Sequence, residues 1–200
     1  MSSRTDSPDK TLSYPIITCE TQHDWKMWLE KHHHAVKGVW LKLAKKSTGI
    51  PSVTREEALD EALCYGWIDG QAKPYDACYW LQKFTPRTRR STWSKRNRDK
   101  VEALQAAGRM QPEGIRQVEL AKADGRWQAA YDRPSEATVP EDFQRELDKN
   151  PQALDFFSTL NSRNRYAILF RIQTAKKAET RAARIRTYVD MLARNEKLYP

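Results

Sequence analysis

The chain has 200 residues, a formal net charge of +9 and a hydrophobic fraction of 39%. That length suits one domain, or one domain with a small appendage, and seven Trp, eight Tyr and five Phe supply bulky core material. Mean hydropathy is −0.84, and no apolar run nears the roughly 18 residues of a membrane helix, which excludes a spanning segment.

The opening "MSSRTDSPDK" has no apolar h-region. It reads as a disordered polar tail over 1–13, not as a secretory signal. Cys19, Cys64 and Cys78 are odd in number and none stands at CxxC spacing, which argues against a disulfide framework or a zinc site. Buried, reduced thiols are expected, and with them a soluble protein of the cytoplasm. The positive charge favours anionic partners, either a small molecule or nucleic acid.

In chain order, "TQHDWKMWLEKHHHA" is a helix with Trp25, Trp28 and Leu29 at i, i+3, i+4. Thr21 is its N-cap, with Asp24 at N3. "GVWLKLAKK" alternates, with Val39, Leu41 and Leu43 on one face and Trp40 and Lys42 on the other, which is a strand. "TREEALDEALCYG" is the clearest helix. Thr54 and Glu57 form a capping box, Ala58, Leu59, Ala62 and Leu63 make the buried stripe, and Gly66 stands at C′. "WIDGQ" and "CYWLQKFTP" read as two short antiparallel strands around a loop with Gly70, Pro74 and Asp76.

Helices dominate from Ser94 onward. Ser94 caps one, with Val101 and Leu104 inward and Gly108 as stop, and Pro112 opens another that ends at Gly125. "RWQAAYDRPSEAT" reads as a linker. Pro140, Asn150-Pro151 and Asn161-Ser162 open further helices, and the last lies near Glu179 to Arg194 with Ala182, Ile185, Val189 and Leu192 aligned. Segregated elements of this kind predict an α+β fold: a small antiparallel sheet of about three strands with helices, then an all-helical C-terminal half. The expected division is a core domain over 14–130 and a helical region over 137–200.

"KFTPRTRRSTWSKRNRDK" places eight Lys or Arg against one acid, Asp99, where a strand leads into a helix start. Unpaired N–H groups and the positive dipole end suit an anion there. Arg87, Arg89 and Arg90 have the fork for a phosphate, Ser91, Thr92 and Ser94 have hydroxyls to donate, and Trp93 has a ring that stacks on a base. The bland alternative is a solvated charge run with Trp93 in the core and Ser94 as a plain cap. No helix-turn-helix or zinc-finger signature points to duplex reading.

His32, His33 and His34 are consecutive on a helix, so they point about 100° apart and do not converge on one metal. Positive charge at a helix C-terminus is the simpler account. There is no G-x-S-x-G, no Walker A pattern and no G-x-G-x-x-G. Carboxylates are the remaining general bases: Glu56, Glu57, Asp60, Glu61 and Asp69. Asp69 differs from the rest because it sits in a strand beside Trp67. A buried carboxylate needs a partner, and Arg87 on the hairpin is the expected one.

Together "EALDEALCYGWIDGQ", "KFTPRTRRSTWSKRN", "LQAAGRMQPEGI", "GRW" and "AKKAETRAARI" resemble the YdeI/OmpD-associated (OmdA) family, also named bacteriocin-protection proteins. The resemblance runs from about Trp25 to Leu192. It implies a soluble protein whose names refer to stress or bacteriocin tolerance, and it carries over no reaction, cofactor or catalytic residue. The reading is a non-enzymatic binding protein, with no cofactor or metal and no membrane. It holds a phosphate-bearing anion through Asp69, Arg87, Arg90, Trp93, Ser94 and Asn97. The alternatives are an enzyme with Asp69 as base and a basic module that meets an acidic protein.

Overall fold

The computed structural model describes residues 14–200, so the polar tail expected over 1–13 lies outside the described residues. The chain divides into two compact units. The first runs to Ser91 and adds Lys100–Leu120; the second comprises Thr92–Asp99 and Ala121–Pro200.

The first unit is built on a sheet of β1 (Ile16–Thr18), β2 (Val39–Ala44), β3 (Trp67–Pro74) and β4 (Tyr79–Pro86). The strand order is β1-β2-β4-β3, with β1 parallel to β2 and the other pairings antiparallel. The sheet therefore has four strands where about three were expected. The added strand, β1, is three residues long, too short to show an alternating pattern. It is joined to β2 by helix α1 (Gln22–His32), and α2 (Arg55–Cys64) links β2 to β3.

Local chemistry explains these elements. Thr21 and Asp24 cap α1 reciprocally, as Thr54 and Glu57 cap α2. Val39, Leu41 and Leu43 are fully buried with Ala58, Leu59, Ala62 and Leu63, so strand and helix close on one core. Trp25 packs its ring 5.5 Å from that of Phe84 and donates its Nε1–H to the Ala58 carbonyl at 2.9 Å. In the hairpin, Asp76 Oδ1 accepts from the N–H groups of Cys78 and Tyr79, both at 2.7 Å. The β3–β4 register shifts between Asp69 and Ala72. The buried Gln82 amide stitches that irregularity by donating to the Gly70 carbonyl at 2.9 Å.

Helix α3 (Lys95–Ala106) spans the boundary between the units, and α4 (Pro112–Ala123) begins in the first. Gly114 seats α4. A Cβ there would collide with the Cys64 carbonyl at the end of α2, so only glycine lets the two backbones meet.

In the second unit, α5 (Glu141–Asp148), α6 (Pro151–Thr159), α7 (Ser162–Gln173) and α8 (Ala178–Ala193) share one core of Phe143, Leu147, Phe157, Ile168, Ile172, Ile185 and Leu192. Along α8, Tyr188 is buried and Ala182 is exposed, which departs from the expected stripe. The expected linker over 126–138 divides in two: 126–132 is packed, and 133–138 is mostly exposed and free of helix or strand. Arg126, Trp127, Ala130 and Asp132 are buried, and Ser94 pairs with Tyr131 in a parallel bridge. Trp127 anchors the packed part by standing edge-on to Trp93 at 4.9 Å.

Candidate functional site

A cleft of about 340 Å³ opens in the first unit, lined by residues from four places in the chain. The end of α1 and its following turn contribute His33, His34 and Lys37. The α2–β3 corner contributes Tyr65, Gly66 and Trp67, the end of β4 and the residue after it contribute Pro86 and Arg87, and the first turns of α4 add Glu113, Arg116 and Gln117.

Each group is held by a local cause. Gly66 stops α2 in the left-handed region at φ 74°, and a Cβ there would press on Gln117 Cγ at 3.0 Å and the Glu113 carbonyl at 3.1 Å. Its own carbonyl accepts the Arg87 N–H at 2.9 Å, so the glycine fixes where β4 delivers Arg87. Trp67 donates its Nε1–H to the His33 carbonyl at 3.3 Å, tying the α1 end to β3. The His33 and His34 rings lie 3.7 Å apart, and Nδ1 of His33 is 2.8 Å from the Leu29 carbonyl.

Lys37, Arg87 and Arg116 make the lining cationic, and among the described lining residues Glu113 is the one carboxylate. Arg116 grips Glu113 with Nε and Nη2, both at 2.8 Å, while Gln117 donates to the same carboxylate at 2.8 Å. The Arg116 hydrogen bonds hold the Glu113 carboxyl below its ordinary value, against the opposing push of burial. Burial pushes the Tyr65 phenol up, with the Glu30 and Glu61 charges adding to it. Glu113 is thus an ionised counter-charge already held, and Arg116 keeps further N–H groups on its fork.

The six residues that the sequence singled out divide between the units. Arg87 is buried and lines the cleft. Asp69 does not line it, and its partner is not Arg87. Arg55 Nη2 lies 2.7 Å from Asp69 Oδ2, with the Asp69 side chain 16% exposed. This corrects the expected Asp69–Arg87 pair: the capped first turn of α2 reaches β3 before the hairpin does. Arg90 is exposed, its N–H bonded to Thr88 Oγ1 at 3.2 Å.

In the second unit, Trp93 is only 2% exposed, so its ring offers no open face to a base. Ser94 Oγ accepts the Asn97 N–H at 3.1 Å, the ordinary cap of α3, and Asn97 is buried. The four carboxylates of α2 are engaged as well. Glu57 belongs to the capping box, Glu56 and Asp60 meet Lys100 at 3.3 and 2.6 Å, and buried Glu61 meets Arg109 at 2.5 Å and Gln22 at 2.7 Å.

His33, His34, Lys37 and Arg116 line the cleft but were not among the binding residues expected from the sequence. Gly114 inside a helix was the available signal, because a mid-helix glycine is costly unless a close backbone approach requires it. Cys19 and Cys64 are poor nucleophiles: burial first, then the Asp24 charge, pushes Cys19 up to about 12, and burial, then the Glu61 charge, does the same to Cys64. Among the described residues, no group of His, Cys, Asp and Glu is arranged to hold a metal ion. No described helix is long and apolar enough to cross a membrane.

The geometry defines an α+β protein with a basic cleft beside its sheet. Comparison with families of known sequence places the chain in one of them. It belongs to the family described as "Domain of unknown function (DUF8412)", whose model matches residues 17–117, just over half of the chain. A second model, "Bacteriocin-protection, YdeI or OmpD-Associated", matches residues 136–195. The resemblance to that family is therefore found in the C-terminal region, where "AKKAETRAARI" lies. "EALDEALCYGWIDGQ", "KFTPRTRRSTWSKRN" and "LQAAGRMQPEGI" fall within the stretch matched by the first model. Neither the curated proteins nor the solved structures contain a match to the chain.

Proposed function

We propose that the protein binds a small phosphate-bearing anion in the cleft of its first unit. One observation carries this reading: Lys37, Arg87, Arg116, His33 and His34 line about 340 Å³ around a single carboxylate, and Arg116 already holds that carboxylate. The volume suits a small ligand, and guanidinium forks suit phosphate. The site therefore moves from the start of α3 to the end of β4, with Arg87 common to both. Asp69 lies outside the cleft and is engaged by Arg55, so catalysis by Asp69 gains no support from the geometry. The free thiols at Cys19, Cys64 and Cys78 favour a reducing compartment such as the cytoplasm. A link to bacteriocin tolerance rests on the name of the C-terminal family model and is tested by the sensitivity of a deletion strain.

Thermal shift across phosphate, pyrophosphate, nucleotides and neutral sugars at low salt tests the binding directly. A ligand at a hundred times its Kd stabilises by about 2.7 kcal/mol, which raises Tm by several degrees for a phosphate-bearing ligand and leaves the sugars inert. Arg116→Ala abolishes the rise. No shift with any anion at low salt overturns the reading.

A further inference from the structure

The sheet has a second face. Phe84 pairs with Val39 and with Asp69, and it packs against Trp25 of α1, so those residues mark the face covered by helices. Directly paired residues share a face and neighbours in a strand alternate. The opposite face therefore carries Ile16 and Trp40, Trp40 and Lys83, Lys42 and Leu81, and Lys73 and Leu81 as cross-strand pairs.

On this face lysines and aromatic rings interleave. The Lys73 ammonium lies 5.0 Å from the Trp40 centroid, and the Lys83 ammonium lies 4.8 Å from Tyr14 and 6.0 Å from Trp40. At the hairpin end, Lys42 lies 4.9 Å from Tyr75 and 4.5 Å from Tyr79. Tyr75 is 39% exposed, and Lys73 is exposed. Beneath them Ile16, Trp40 and Leu81 form a small buried cluster with Tyr14 packed against it. Among the described residues, the strand positions of this face carry no Asp or Glu. Among the described residues Asp69 is the one strand-borne carboxylate, and it lies on the helix-covered face.

We propose that this face binds single-stranded nucleic acid. Unpaired bases have open π-faces that stack on tyrosine, whereas a duplex hides them. Cation–π contacts on an exposed surface are weak, so a base that takes the ring releases the lysine to a neighbouring phosphate at little cost. The residues used are distinct from those of the cleft, so this proposal stands or falls separately from small-anion binding.

Fluorescence anisotropy of the whole protein with a labelled twenty-residue oligo(dT), and with a duplex of equal length, across rising salt, is the test. The single strand binds at least about tenfold tighter than the duplex, and its affinity falls steeply as salt rises. The double variant Lys73→Glu/Lys83→Glu weakens binding at least about tenfold. Tyr75→Ala, a surface change that leaves the core intact, weakens it about fivefold or more through lost stacking. Lys31→Glu/Lys149→Glu changes net charge equally and leaves affinity within about twofold. The proposal is overturned by absence of binding at low salt, by equal binding of the duplex, or by equal loss in both charge-reversal pairs. Unchanged affinity in Tyr75→Ala overturns it as well, since an acidic protein or any polyanion would then serve.

Discussion

Gly114 is the residue on which the geometry of the cleft depends. Its missing Cβ lets α4 close onto the Cys64 carbonyl, and that contact brings Glu113, Arg116 and Gln117 to the lining. Gly114→Ala forces backbones apart, and overpacking of this kind costs about 1–3 kcal/mol. Urea denaturation is expected to show that loss, together with weaker binding of phosphate. A variant as stable as the parent would contradict the packing argument. Asp142 makes a second test at this scale. Arg181 donates Nε and Nη2 to its carboxylate at 2.6 and 2.8 Å, and those bonds hold its pKa below the ordinary value. A depressed folded-state pKa stabilises above the unfolded value, and the contribution fades as pH falls through the folded one. Acid titration is therefore expected to show the parent's advantage over Asp142→Asn at neutral pH and to show it disappear below the ordinary aspartate range.

Elements were legible where local chemistry dictates them. Both capping boxes, the glycine stops and the alternation of β2 follow from neighbours three or four residues apart or less, and the structure carries each of them. In α2, Thr54→Ala removes the hydroxyl that accepts the Glu57 N–H, while the backbone N–H of residue 54 still donates to the Glu57 carboxylate; the loss is expected to cost about 1 kcal/mol, measured by thermal or urea unfolding. What escaped the sequence depends on distance. The three-residue β1 has no period of its own and exists because β2 offers it a parallel edge. Asp69 finds Arg55, fourteen residues upstream, because α2 packs beside β3, and hairpin adjacency suggested Arg87 instead. Trp127 packs the first part of the expected linker into the second unit, a contact with Trp93 that no local pattern announces.

At the scale of the molecule, the +9 charge pointed to anions without locating them. Within the densest basic run, Ser94 is an ordinary helix cap and Trp93 is buried. The cleft instead draws cations from three separate stretches, Lys37, Arg87 and Arg116, that only the fold assembles. The two matched family models, over 17–117 and 136–195, leave its chemistry open. Crystals grown in selenate test the central claim most directly, because selenate mimics a phosphoryl group and its anomalous signal locates it without ambiguity. The account predicts a strong peak among Lys37, Arg87 and Arg116, displaced by inorganic phosphate. A cleft without a peak, in crystals that bind selenate elsewhere, would contradict it.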